Sequence, residues 1–273
     1  MADPRLTPAN ARVGLPGFAG PGAAVVDGTW YQVARPLADL RRAPGGARDR
    51  QMLLGWRFLV LEIHDGWAFG RSARDGYVGY INAADLAPAG PDATHVIGVR
   101  AAHLYPAADV KSEALAALSF GAAMQIVDER HHFMETAQGF FVPKAHLRLV
   151  DRPFSDPATE AQLFFGTPYL WGGNSSAGID CSGLVQAAFL ACDIACPGDS
   201  DMQMALGSEI AQNQPFARGD LVFWRGHVAL CVDDETLIHA NAHHMAVAYE
   251  PIAKAIARID AQGGGPVITR RRL

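Results

Sequence analysis

The chain has 273 residues, of which 49% are hydrophobic and 19% charged, with a formal net charge of −5. That length suits one large domain or two to three small ones, and the composition excludes disorder as its main theme. The acidic balance leaves no basic stripe for nucleic acid, and the longest basic run, Arg270-Arg271-Arg272, reads as a solvated tail.

The opening MADPRLTPANARVG lacks the apolar stretch of a secretory signal, and no segment reaches the roughly 18 apolar residues that span a bilayer. The expected setting is therefore the cytoplasm, without a membrane partner. Four cysteines do not make a disulfide scaffold, and Cys192, Cys196 and Cys231 read as small buried hydrophobes or quiet thiols.

Residues 1–22, rich in Pro, Gly and Ala without periodicity, are expected to form an irregular arm that drapes over the fold or stays mobile. Residues 23–90 hold short β-rich runs split by HDG and RDG turn signals, the pattern of a small β-barrel. PDATH at 91–95 reads as a linker, and residues 91–150 repeat the same order of elements. GYVGYINAADL in the first segment and GFFVPKAHL in the second each give Gly-aromatic, a strand and a closing turn, a repeat of about 60 residues. Two related barrels in tandem are expected. The style changes in 151–273. Asp156-Pro157 is an N-cap followed by Pro at the first helical position, and SGLVQAAFLACDI has helical spacing. GDLVFWRGHVALCVDDETLIHANAHHMAVAYEP reads as consecutive strands, and PIAKAIARI as a last helix. Helices first and antiparallel strands after predict an α+β domain.

Within this last domain, YLWGGNSSAGIDCSGLVQAAFL puts Cys181 at the mouth of a helix. A helix N-terminus offers partial positive charge and free N–H groups, which favour a thiolate and can hold an oxyanion. Gly183 is expected to let the backbone crowd a substrate, and Gly172 and Gly173 to allow a tight approach. A cysteine nucleophile also needs a base, and the base needs an orienting partner. His227 starts one strand and His239 lies twelve residues on, near the end of the next. Neighbouring antiparallel strands would set the two rings side by side. The bland reading, a core cysteine with two satisfied histidines, stands beside this one on spacing alone.

Two resemblances bear on the choice. LLGWRFLVLEIHDGWAFGRSARDGYVGYINAADL resembles a bacterial SH3-like (SH3b) domain through its Gly66-Trp67 pair and DGYVGY strand. TPYLWGGNSSAGIDCSGLVQ, RGDLVFW, GHVALCV and LIHA resemble, in order and spacing, the NlpC/P60 cysteine peptidases. The resemblance implies a papain-like catalytic domain at 151–273 behind two small SH3-like barrels at 23–90 and 91–150. It implies Cys181 as nucleophile, His227 as general base, His239 as the residue orienting His227, and Tyr169 near the oxyanion.

The pairing with SH3b domains resembles a narrower group, the γ-D-glutamyl-L-diamino acid endopeptidases, which include dipeptidyl-peptidase VI. What it implies is cleavage of murein peptides with a free N-terminal L-Ala, releasing L-Ala-γ-D-Glu, in cell-wall peptide recycling. Asp180 and Ser182 match the residues that hold the amine, and Tyr77 matches a Tyr of the first SH3b domain. An acid from that domain is expected as well, Asp49 or Asp39, with Asp49 preferred. Trp171 is placed among the substrate-binding residues. No cofactor and no metal are expected. Three rivals remain: an amidase or acyltransferase on the same Cys-His-His fold, a non-catalytic cell-wall-binding protein, and a metal hydrolase built on His239 and His243, for which no H-E-x-x-H is present.

Overall fold

In the computed structural model, residues 3–211 and 213–273 are described. The chain divides into two compact units, Met1–Val150 and Asp151–Leu273.

The first unit is built on a seven-stranded antiparallel sheet. Its strands are β1 (Thr29–Val33), β2 (Leu37–Arg41), β3 (Arg48–Leu53), β4 (Arg57–His64), β5 (Trp67–Ser72), β6 (Val78–Asn82) and β7 (Leu86–Pro88). They lie in the order β3-β2-β6-β5-β4-β1-β7. HDG and RDG mark the β4–β5 and β5–β6 turns, as the sequence predicts, with Gly66 and Gly76 both at positive φ.

Two features differ from the expected pair of barrels. The seven-stranded sheet is open, with β3 and β7 as its edges. Residues 91–150 form three separate sheets of two or three short strands. Strands of two to five residues cannot bury a core alone. Instead, Ile97, Ala102, Leu118, Ala122, Met124 and Val142 join Phe58, Val60, Ile81 and Leu53 in one hydrophobic cluster. Backbone contact ties the halves together: a Cβ on Gly55 (φ +76°) would lie 2.0 Å from the Ala123 carbonyl oxygen. Trp56 Nε1 donates to the Gly121 carbonyl at 2.9 Å.

The expected arm over 1–22 drapes, within its described part, over the outer face of the sheet; Met1 and Ala2 lie outside the described residues. Val13 and Leu15 pack with Leu59, Leu61, Phe69 and Val78. Arg12 and Asn10 both donate to the Glu62 carboxylate.

The second unit opens with α1 (Pro157–Gln162), capped by Asp156, whose carboxylate accepts from the Ala158 amide at 3.1 Å. Next comes α2 (Cys181–Ala191), with eight of its 11 residues buried. An apolar surface on all sides makes this a central helix. Strands β8 (Leu221–Trp224), β9 (His227–Cys231), β10 (Thr236–Asn241) and β11 (Ala246–Pro251) follow as an antiparallel meander, then α3 (Ile252–Ala261) and β12 (Thr269–Arg272). The sheet order is Ser208–Glu209, β12, β8, β9, β10, β11. Helix α2 packs against β9 and β10. Helix α3 buries Ile252 and Ala255 against Ala229, Cys231 and Leu237. No helix among the described residues is long and apolar enough to cross a membrane.

Candidate active site

The site is assembled in the second unit by one helix end and three adjacent strands. Cys181 is the first residue of α2, directly after the N-cap Asp180. The Asp180 carboxylate accepts from the Gly183 amide at 2.7 Å and the Ser182 hydroxyl at 3.1 Å through one oxygen. Its other oxygen accepts from the Gly172 amide at 2.9 Å. With Gly183 capped, the amides of Cys181 and Ser182 are left to face the sulfur, which they stabilise as an anion together with the Val228 amide. The Val228 contact brings the sulfur to the start of β9, one residue from His227.

Sheet register aligns the histidines. Leu230 pairs with Ile238 and Cys231 with Leu237. His239 therefore shares a face with Ala229 and lies diagonally from His227. His227 Nε2 and His239 Nδ1 share a hydrogen bond of 2.9 Å. Nδ1 is then the ring nitrogen of His227 that lies outside this bond. Trp224, opposite His227 in the β8–β9 hairpin, packs its ring 5.7 Å from the imidazole.

The electrostatics differ from those of an activated thiolate. Burial pushes the Cys181 thiol up to about 12, and the charge of Asp180 adds to the shift; together they outweigh the three amides. Burial also lowers His227 to about 4 and His239 to about 3, with Arg258 opposing a second positive charge and Glu250 partly offsetting it. The helix-mouth position alone predicts a low thiol pKa, but desolvation wins because Cys181 is buried, with 7% of the residue exposed. The resting pair is a neutral thiol and a neutral imidazole.

This neutrality has a stability consequence. Both histidines titrate near 6.5 when unfolded and lower when folded, so the unfolded chain binds more protons below that value. Their contribution is complete above about pH 6.5 and is lost as pH falls toward about 4. Glu250, Arg258 and His244 are the charged and titratable groups facing them. The thermal midpoint is expected to fall more between pH 7 and pH 4.5 in the parent chain than in a His227→Asn/His239→Asn double variant; equal slopes would contradict buried neutral imidazoles.

The remaining expected residues fall into two groups. In the second unit, Tyr169 is half-buried, and burial, with the neighbouring acidic groups Cys181 and Asp180, raises its phenol. It stays protonated, as a donor must. Ser182 is buried on Asp180, and Trp171 is 70% exposed in the loop before it. In the first unit, Tyr77 is a buried core residue under the Arg50 guanidinium, 5.8 Å from the ring centroid. Asp49 pairs with Arg42 at 2.8 Å, and Asp39 pairs with Arg41 at 2.7 Å. Gly183 serves packing rather than substrate approach: a Cβ there would lie 2.6 Å from both the Gly173 carbonyl and Asn174 Oδ1.

Sequence reasoning missed Glu250 and Arg258. Glu250 Oε2 lies 3.2 Å from His239 Nε2, and Arg258 grips both oxygens of that carboxylate at 2.7 and 2.9 Å. The available signal was an acid at an inward position of an otherwise apolar strand, AVAYEP.

Comparison with known proteins bears on the same residues. Residues 166–259 match the model of the NlpC/P60 family, and residues 40–86 match that of the bacterial dipeptidyl-peptidase SH3 domain. The chain carries an NlpC/P60 domain preceded by a bacterial SH3 domain. The NlpC/P60 match spans Cys181, His227 and His239. Dipeptidyl-peptidase 6 of Lysinibacillus sphaericus is 25% identical over 206 residues, covering 67% of this chain and 76% of that protein. The γ-D-glutamyl-L-lysine dipeptidyl-peptidase of Bacillus cereus is 30% identical over 105 residues, and the match spans only 31% of its length. The crystal structure of an NlpC/P60 family protein from Bacillus cereus superposes with a TM-score of 0.75 at 19% identity, covering 89% of this chain and 99% of that one. This last likeness is one of fold. Both of these sequence relatives are named as dipeptidyl-peptidases.

Proposed function

We propose that the protein is a cysteine peptidase that cuts the γ-D-Glu–diamino acid bond of murein peptides with a free N-terminal L-Ala. The observation that carries this reading is the Cys181 thiol at a helix mouth beside a strand that starts with His227, itself hydrogen-bonded to His239. The sulfur attacks the γ-carbonyl carbon of D-Glu as its proton passes to His227 Nδ1. The oxyanion is held by the amides of Cys181 and Ser182 and by the Tyr169 hydroxyl. The C–N bond then breaks, the leaving amine takes the proton from His227, and a thioester remains. Water, deprotonated by His227, attacks the thioester; the C–S bond breaks, the sulfur takes the proton back from His227, and L-Ala-γ-D-Glu leaves with a new γ-carboxyl group that ionises in water.

The buried Asp180 carboxylate supports the requirement for a free amine. An ammonium placed beside it gains a charge-assisted hydrogen bond and cancels the negative charge that raises the thiol. The parts of Tyr77 and Asp49 in holding this amine rest on the resemblance alone. The test is mass spectrometry of L-Ala-γ-D-Glu-meso-diaminopimelate beside its N-acetylated twin. Cleavage of the free peptide alone is expected; cleavage of both would remove the amine requirement, and cleavage of neither would defeat the reading. The recycling role fails if the protein lyses intact sacculi but leaves the free tripeptide whole.

Asp180→Asn separates the two effects of the carboxylate. Asn can keep the oxygen that caps Gly183, but its amide nitrogen would face the Gly172 amide, so the thermal midpoint should fall modestly while the fold is kept. KM for the free tripeptide should rise by at least about tenfold, the weight of one charged hydrogen bond. Alkylation of Cys181 by iodoacetamide should become faster, because the charge opposing the thiolate is gone. A variant with unchanged KM and slower alkylation would contradict the assignment.

A further inference from the structure

We propose that Glu250, clamped by Arg258, sets the proton positions of both histidines and thereby makes His227 a base. This inference rests on the reading of Cys181 and His227 as the reacting pair. Three neighbouring strands carry the groups on one face. His239 pairs with Ala248, so Glu250, two residues further along β11, is its diagonal neighbour, as His239 is of His227. The three side chains therefore step across the sheet in one diagonal line, from β9 to β11, and Arg258 on α3 closes it.

Proton placement follows from charge. Glu250 Oε2 lies 3.2 Å from His239 Nε2, a fully buried nitrogen with no aligned acceptor. The contact thus acts through charge rather than as a directed hydrogen bond. A carboxylate this close repels a lone pair and attracts an N–H, so the proton of His239 sits on Nε2. His239 Nδ1 is then an acceptor, and His227 Nε2 must be the donor in the 2.9 Å bond between the rings. The lone pair of His227 falls on Nδ1, the nitrogen the proposed reaction needs as its base. With the opposite tautomers, Nδ1 would carry a proton and could not accept one. Arg258 keeps Glu250 ionised, since the guanidinium hydrogen-bonded to it holds its carboxyl below the usual range.

The same carboxylate, His239 and one ring nitrogen of His244 lie within 4.8 Å of one another, a spacing that also fits three ligands of a divalent cation. Arg258 argues against that use, because its charge already occupies both carboxylate oxygens and would oppose a cation beside them.

The experiment compares the parent chain with Glu250→Gln and Glu250→Asp, by 15N imidazole shifts, turnover and Cys181 alkylation. Gln can turn its amide N–H toward His239 Nε2 and reverse both tautomers. The expected result is a move of the His227 proton to Nδ1 and a kcat lower by about ten- to a hundredfold, as when an outer partner of a functional imidazole is removed. KM should stay within about twofold, alkylation should slow in parallel, and Asp should recover most of the loss. The proposal is overturned by unchanged tautomers and kcat in Glu250→Gln, or by equal losses in both variants that track a lower thermal midpoint. It is also overturned by a cobalt absorption band in the parent chain that both Glu250→Gln and His244→Ala abolish. The imidazole shifts need no substrate. If the parent chain neither cleaves peptide nor alkylates faster than Cys181→Ala, the reading of the site fails instead, whatever the shifts show.

Discussion

Cys181→Ala is expected to lower kcat/KM for L-Ala-γ-D-Glu-meso-diaminopimelate by ~10⁵-fold or more while leaving the fold in place. In covalent catalysis, loss of the nucleophile removes the whole route, and what survives is the contribution of binding and oxyanion donors. The substitution removes one sulfur from a helix whose buried packing rests on Leu184, Val185, Ala188 and Phe189. Its stability cost should therefore be small, ~1 kcal/mol, as for other modest core truncations. A protein that only binds wall fragments would be indifferent to the change. Activity within tenfold of the parent would exclude Cys181 as nucleophile.

His227→Ala is expected to be nearly as damaging and to change the pH profile. In the parent chain the base is neutral down to about pH 4, so kcat/KM should hold nearly level from neutrality to about pH 5 and fall below that as His227 protonates. Without His227 only the thiolate can react. With the thiol pushed up to about 12, a fraction of ~10⁻⁵ is ionised at pH 7, and the residual rate should rise tenfold per pH unit toward that value. An activity that stays level with pH in His227→Ala, at a tenth of the parent rate or better, would show that another group takes the proton.

Much of the site was legible because it is local in sequence. A cysteine followed by Ser-Gly and an apolar helical run has one reading, a helix that begins at the thiol, and α2 begins at Cys181. Two strands separated by DDET likewise make neighbours of His227 and His239. What the pattern does not carry is solvent exposure. The helix mouth argues for a thiolate, while the surrounding sheet and the carboxylate of Asp180 hold the thiol neutral. Gly183 illustrates the same limit, because the atoms that fill its missing Cβ come from Gly173 and Asn174, ten and nine residues earlier. The expected barrels met a different limit. Alternation and turn signals locate strands, but whether a sheet closes depends on which strands pair at its edges. Residues 91–150 resemble the first segment in order yet share one core with it, since their strands are too short to enclose their own. Glu250 offered only the signal of an acid in an apolar strand, and its role with Arg258 depends on register across β10 and β11.

The most direct test is to acid-quench the enzyme during turnover of the free tripeptide and weigh the proteolytic fragment containing Cys181. The account expects that fragment to carry an L-Ala-γ-D-Glu thioester, labile to hydroxylamine, formed by the parent chain and not by Cys181→Ala. An acyl group on another residue, or release of L-Ala-γ-D-Glu in a single turnover with no acyl group on Cys181 at any quench time, would contradict it.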